Sequence, residues 1–236
     1  IVMGGGVLLQ GGQLAGLSVI ALGAFTGGFL AVLLVYRLAT STTGTSVATM
    51  LLAGIAISAL AGALNSLFMF IADDEMLRRI SLWQMGSLDA ANWPRVWIAA
   101  AAVAIVMTLL PRDAAALNAF LLGESEARHL GIAVDAVKRR LILLTAMAIG
   151  ISVAVAGTIS FVGLIVPHIV RLLIGPDHRY LIPASAMAGA ILLILADALA
   201  RVVVAPAELP AGILTALLGA PFFFSLLAKK RRAEVG

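Results

Sequence analysis

Cysteine is missing from all 236 residues, which excludes disulfides, thiolate metal sites and cysteine nucleophiles. Charge is scarce too: Asp, Glu, Lys and Arg together make up 12% of the chain, against about 25% in an ordinary soluble domain. Only three lysines occur, Lys138, Lys229 and Lys230, and none stands in a GxxxxGK[ST] loop, so there is no Walker cradle for the phosphates of ATP. GxSxG and HExxH are absent as well. His129, His168 and His178 are too scattered to make a metal site, and nothing in the chain reads as an enzyme. Strand-like alternation is also lacking, which disfavours a β-barrel.

Long apolar runs are what the chain does have. Hydrophobic residues make up 62% of it, more than a soluble fold of this size can hide, whereas lipid acts as a solvent for such surface. The runs are rich in Leu, Ala, Ile and Gly, and a helix satisfies its own backbone groups inside the bilayer. The expected fold is all-α, a polytopic transmembrane helix bundle. Residues 1–9 read as the end of a helix, followed by seven segments at about 13–36, 48–72, 94–111, 139–157, 160–174, 181–203 and 210–228. The chain opens at Ile1 inside apolar sequence with no signal-peptide pattern, so the expectation is one transmembrane domain over 1–236, truncated at its N-terminus. GTISFVG at 157–163 turns the chain between two short segments, and Pro167 is expected to kink the second. Gly12/Gly16 and Gly23/Gly27 form two GxxxG pairs, read as close helix packing, with a pathway lining as the alternative.

A net charge of +4 could point to nucleic acid. In a membrane protein it points instead to basic cytoplasmic loops. With 112–140 placed inside and sides alternating, twelve of the sixteen basic residues fall inside. Arg78, Arg79, Arg95 and Arg201 fall outside, as the positive-inside rule requires. Within 112–140, LLGESEARHLGI reads as a short helix closed by Gly131, with acids at its start and bases at its end. It is either a solvated connector or a docking helix for a cytoplasmic partner. On the other side, 71–94 reads as a short surface helix with Trp83 and Trp93 at the interface. Its Asp73, Asp74 and Glu75 are read as solvated rather than cation-binding. Asp197 and Arg201 share a helix face, either as an internal pair or with Arg201 turned to a partner's carboxylate. His168 is read as a packed residue bonded to a carbonyl, with proton relay as the alternative.

Several stretches together resemble the membrane permease family (FecCD/BtuC type) of bacterial type II ABC importers for ferric siderophores, haem and cobalamin. They are GTISFVGLIVPHIVRLLIGPDHRYLIPASA at 157–186, LADALAR and APAELPAGILTALLGAPFFFSLL within 195–227, LLAGIAISAL at 51–60, LWQMGSL at 82–88 and LLGESEARHLGI at 121–132. The resemblance covers nearly the whole chain and implies about seven spans of a ten-helix family fold.

It also implies a multi-pass protein of the bacterial inner membrane, paired with a second permease copy. Cytoplasmic ATPase subunits would use the ATP, and a periplasmic substrate-binding protein would deliver the chelate. No cofactor would be permanently bound. By the same resemblance, Leu122, Gly123, Glu124, Ala127, Arg128, Leu130 and Gly131 couple to the ATPase within the cytoplasmic loop 112–140. Thr45, Ser46, Val47 and Ala48 form a cytoplasmic gate, Ser58 and Asn65 line the pathway, and Arg201 docks the binding protein. ADDEMLRRISLWQMGSL resembles haem-transporting members more than cobalamin ones, with ferric siderophore as the close alternative. A cobalamin importer and a proton-coupled secondary transporter are the other readings, the latter short of paired intramembrane carboxylates.

Overall fold

The computed structural model describes residues 23, 25–41, 44–89, 91–204 and 209–235. The expected end-of-helix at 1–9 and the Gly12/Gly16 pair lie outside these residues.

Capping residues mark where each apolar run becomes a helix. Helix α1 (Phe25–Ala39) ends in a tight hairpin of two short strands, β1 (Thr40–Ser41) and β2 (Gly44–Thr45), with Thr40 paired to Thr45. Ser46 then starts α2 (Val47–Ile71), its Oγ accepting from the Thr49 amide at 3.3 Å. Asp73 starts α3 (Asp74–Met85) in the same way, accepting from Met76 N at 2.8 Å. Asn92 caps α4 (Trp93–Leu109), with Pro94 in its first turn. These caps satisfy amide donors that the first turn leaves without intrahelical partners.

A 3-10 turn at Leu110–Asp113 leads into α5 (Ala114–Phe120), α6 (Glu124–His129) and α7 (Val134–Ala156). The chain finishes with α8 (Val162–Ile174), α9 (His178–Val203) and α10 (Ala211–Val235). Among the described residues four helices are long and apolar enough to cross a membrane, and Phe25–Ala39, Val162–Ile174 and Ala211–Phe222 are shorter apolar ones. Together they overlie the expected segments, the first of them from residue 25 on, since residues 13–22 of that segment lie outside the described ones.

Helix α7 starts five residues before the expected 139, because Val134 and Val137 are buried while Asp135, Arg139 and Arg140 stay exposed. Helix α8 runs through Pro167 without a break in its assignment. Its first turn follows Phe161, which sits in the left-handed region at φ 67°. In α8 and α9, Val166, Val170 and Leu181 form a core packed by Ala184, Ala188 and Leu192. Helix α4 lies against α7, and α10 against α9 and α8. By contrast α2 is bare: its main neighbour among the described elements is α3, and none of its apolar window is buried within the chain.

Among the described residues, close packing falls on other glycines than the GxxxG spacing singles out. A Cβ on Gly23 or Gly27 meets nothing within 4 Å among the described residues, so that GxxxG pair makes no close contact there. Close approach occurs instead at Gly150, where an added Cβ would stand 3.0 Å from the ring of Phe25, and at Gly219, where it would stand 2.5 Å from Phe161 Cβ.

Candidate functional site

Two polar constellations lie at opposite ends of the bundle, and neither is a local motif. At the basic end, α5 and α6 form a platform on the bundle. Gly123 joins them at φ 110° and ψ 155°, a conformation that is essentially glycine-only. Ala127 is fully buried under α6, while Leu121, Leu122 and Leu130 stand out at 52%, 68% and 65% exposure. That apolar knuckle is fixed from below. Glu124 pairs with Lys138, and Arg128 with Asp135 at 3.1 Å, which ties α6 to the first turns of α7. Arg140 grips Asp113 with two nitrogens, its Nε at 2.7 Å from Oδ2, and Asp113 is only 2% exposed. Burying a carboxylate is costly unless it is paired, so this bidentate contact fixes the 3-10 turn against α7.

Asn118 extends the platform to α9. Its Nδ2 donates to Asp177 Oδ1 at 2.7 Å, and its Oδ1 accepts from His178 N at 2.9 Å. His178 Nδ1 lies 2.8 Å from the same oxygen. A carboxylate only accepts, so the Asp177 contact fixes the amide orientation and places a proton on His178 Nδ1. Asp177 also caps α9 by accepting from Arg179 N at 3.0 Å. That backbone hydrogen bond, followed by the Asn118 amide, holds the Asp177 carboxyl below its usual range, so it stays ionised near neutral pH. Helix α5 is thereby tied to the first turn of a 26-residue helix.

At the opposite end the backbones of three helix ends meet. Ser87 N donates to Ala156 O at 2.9 Å, Thr158 N to Trp83 O at 3.3 Å and Gly212 N to Gly86 O at 3.1 Å. The orphan carbonyls of α3 and α7 and an orphan amide of α10 satisfy one another. The positive end of the α10 dipole faces the negative end of α3. The loop that leaves this junction carries Asp89, which accepts from Ser87 Oγ. Arg201 reaches Asp89 at 2.9 Å and Asp197 at 2.8 Å and remains 46% exposed. The Asp197–Arg201 pair expected from spacing is therefore present, and Asp89 is the partner that spacing did not reveal. Trp93 and Trp97 stack loosely beside this end, 6.5 Å between centroids and largely exposed, as interfacial indoles do.

The other candidates are placed as follows. Thr45 closes the hairpin opposite Thr40, Ser46 caps α2 and donates its amide to Ala39 O at 3.0 Å, and Val47 and Ala48 open the helix. The four gate candidates thus share one hairpin-to-helix turn. Ser58 is exposed on α2, two turns from Asn65. Asn65 donates to Met69 Sδ at 3.8 Å and lines a cleft of about 740 Å³ with Met76, Arg79, Ile80 and Trp83 of α3. The acidic run is structural at two of its three positions: Asp73 is a cap and Glu75 pairs with Arg79. Among the described residues no three His, Asp or Glu side chains gather as a metal-binding group. His168 meets Phe222 edge-on at 6.3 Å, and among the described residues it makes no hydrogen bond to a carbonyl, contrary to expectation.

Comparison with known proteins follows from this geometry. Residues 2–229 match the FecCD transport family. The hemin transport system permease protein HmuU of Yersinia pestis is 46% identical over 214 residues, covering 91% of this chain and 64% of that protein. The cobalamin import system permease protein BtuC of Halobacterium salinarum is 42% identical, covering 89% and 57%. The vitamin B12 import permease BtuC of Salmonella paratyphi A is 40% identical, covering 96% and 68%. The chain therefore spans somewhat under two thirds of the first two relatives. A solved metal-chelate type ABC transporter in an inward-facing conformation superposes with a TM-score of 0.78 at 31% identity, covering 89% of this chain and 72% of that one.

Proposed function

This chain belongs to the FecCD transport family, and from that premise we propose that it is the membrane-spanning permease of a bacterial ABC importer for a metal chelate. The α5–α6 platform carries the reading. It is an exposed apolar knuckle held by ion pairs and tied through Asn118 to α9, which suits a surface that receives force from a cytoplasmic ATPase. The energy comes from that subunit, and the permease supplies two states with different contacts. The bare α2 fits a helix that faces the pathway and a second copy of the permease across it. Similarity to the hemin permease supports haem or a related iron chelate as cargo, and the BtuC relatives support cobalamin as the second choice. The split of twelve basic residues against four supports an orientation in the inner membrane with the platform on the cytoplasmic side and Arg201 on the periplasmic side.

Crosslinking tests the platform. Cysteines in place of Glu124 or Arg128 should join the ATPase subunit and resist membrane-impermeant reagents from the periplasm. Labelling from that side alone would invert the topology and refute the assignment.

At the other end Arg201 has two carboxylates of its own, so it both clamps the loop around Asp89 and offers its exposed edge to an acidic binding protein. Arg201→Glu puts a third carboxylate beside Asp89 and Asp197. It should weaken binding-protein affinity about fivefold, in line with the roughly 1 kcal/mol upper range of an exposed pair, and the loss should shrink at high salt. Unchanged affinity together with a lower melting temperature would assign Arg201 to the internal clamp alone.

A further inference from the structure

A second concavity lies between α1 and α7 near the basic end. It measures about 620 Å³ and is lined by Phe25, Phe29, Leu143, Leu144 and Met147, with Arg139 and Arg140 beside Ala136. Its walls are apolar and its charge is uneven. In the run that opens α7, Lys138 is matched by Glu124 and Arg140 by Asp113, as Arg128 is by Asp135. Among the described residues Arg139 makes no ion pair and no carboxylate lines the groove. From Ala136 to Met147 a helix rises about 16 Å at 1.5 Å per residue, close to half of a hydrocarbon core roughly 30 Å thick. The far end is closed where Phe25 packs on Gly150 and stacks on Phe29 at 5.9 Å.

We propose that this groove holds one anionic phospholipid of the leaflet on the basic side, its phosphate on Arg139 and one acyl chain along Leu143 and Met147 toward the phenylalanine pair. Its lining residues span about one leaflet along α7, its walls are apolar and, among the described residues, Arg139 is the cation at its mouth without an ion pair. Basic pockets between transmembrane helices on the cytoplasmic side suit anionic headgroups. A zwitterionic lipid would fill the same walls without the charge contact.

The test is native mass spectrometry of the intact transporter after exchange into nanodiscs of phosphatidylglycerol or phosphatidylcholine with the same acyl chains. Wild type should retain phosphatidylglycerol about fivefold better, the equivalent of roughly 1 kcal/mol per basic residue at an anionic surface. Arg139→Gln should abolish the preference and keep the melting temperature. Leu143→Trp, which fills the groove, should lower retention of both lipids. Millimolar inorganic phosphate should not displace the lipid. Equal retention by wild type and Arg139→Gln, or displacement by phosphate, would overturn the proposal. So would efficient crosslinking of Leu143→Cys to a second copy or another stretch of the chain.

Discussion

Replacing Gly212 by alanine is expected to destabilise the fold by about 3 kcal/mol, the upper part of the overpacking range with a net hydrogen bond lost in addition. The added Cβ would stand 1.9 Å from Met85 O and 3.0 Å from Met85 C. These are backbone atoms, so no rotamer change relieves the clash, and α10 must lift off α3 and break its hydrogen bond to Gly86 O. Gly157→Ala should behave alike, since its Cβ would lie 2.3 Å from Trp83 O and its backbone sits at φ 72° and ψ −163°, a region costing about 1–3 kcal/mol for other residues. Gly23→Ala and Gly27→Ala are the controls. With no described atom within 4 Å of either added Cβ, neither should destabilise the fold by more than about 0.5 kcal/mol, and Gly27→Ala, inside α1, should gain up to about 1 kcal/mol of helix propensity. Thermal melting in detergent makes the comparison. A Gly212→Ala protein as stable as wild type would mean that the three helix ends do not meet as described.

Asn118→Ala should separate ATP hydrolysis from transport. The amide bridges α5 to the α9 cap through contacts of 2.7, 2.8 and 2.9 Å, and no other described side chain makes that bridge. Losing about two net hydrogen bonds shifts a two-state linkage by at least roughly tenfold. Chelate uptake should fall by about that factor while the assembled transporter still hydrolyses ATP. Asn118→Asp, which sets a second carboxylate against Asp177, should be worse. If transport and hydrolysis fall together in proportion, Asn118 is a structural tie and not a link in the stroke.

The spans were legible because lipid imposes a long, nearly uncharged run on each helix. The surface helix α3 and the short α6 were legible because Asp73 and the charge order of ESEARH are local signals. What sequence did not show is long-range and polar. Asp113 finds Arg140 across 27 positions, Asn118 finds Asp177 across 59, and Asp89 reaches Arg201 from a loop. No periodicity links such pairs. The junction of Gly86, Gly157 and Gly212 is made by backbone atoms, so its signature is only three glycines among the chain's 23. Spacing favoured Gly23 and Gly27 instead, because GxxxG is a pattern within one helix whereas the junction joins helix ends. Helix α7 starts before hydropathy places it because charged residues in its first turns hide the buried Val134 and Val137.

The central claim is that this chain is a chelate permease powered by a separate ATPase, and reconstituted vesicles test it most directly. The intact permease, its ATPase and its binding protein are assembled with ATP enclosed on the cytoplasmic side, and haem, a ferric siderophore and cobalamin are offered outside. The account predicts ATP-dependent accumulation of one of these chelates, haem first, that needs all three components and is insensitive to proton ionophores. Uptake that persists without the ATPase and collapses with the proton gradient would contradict it.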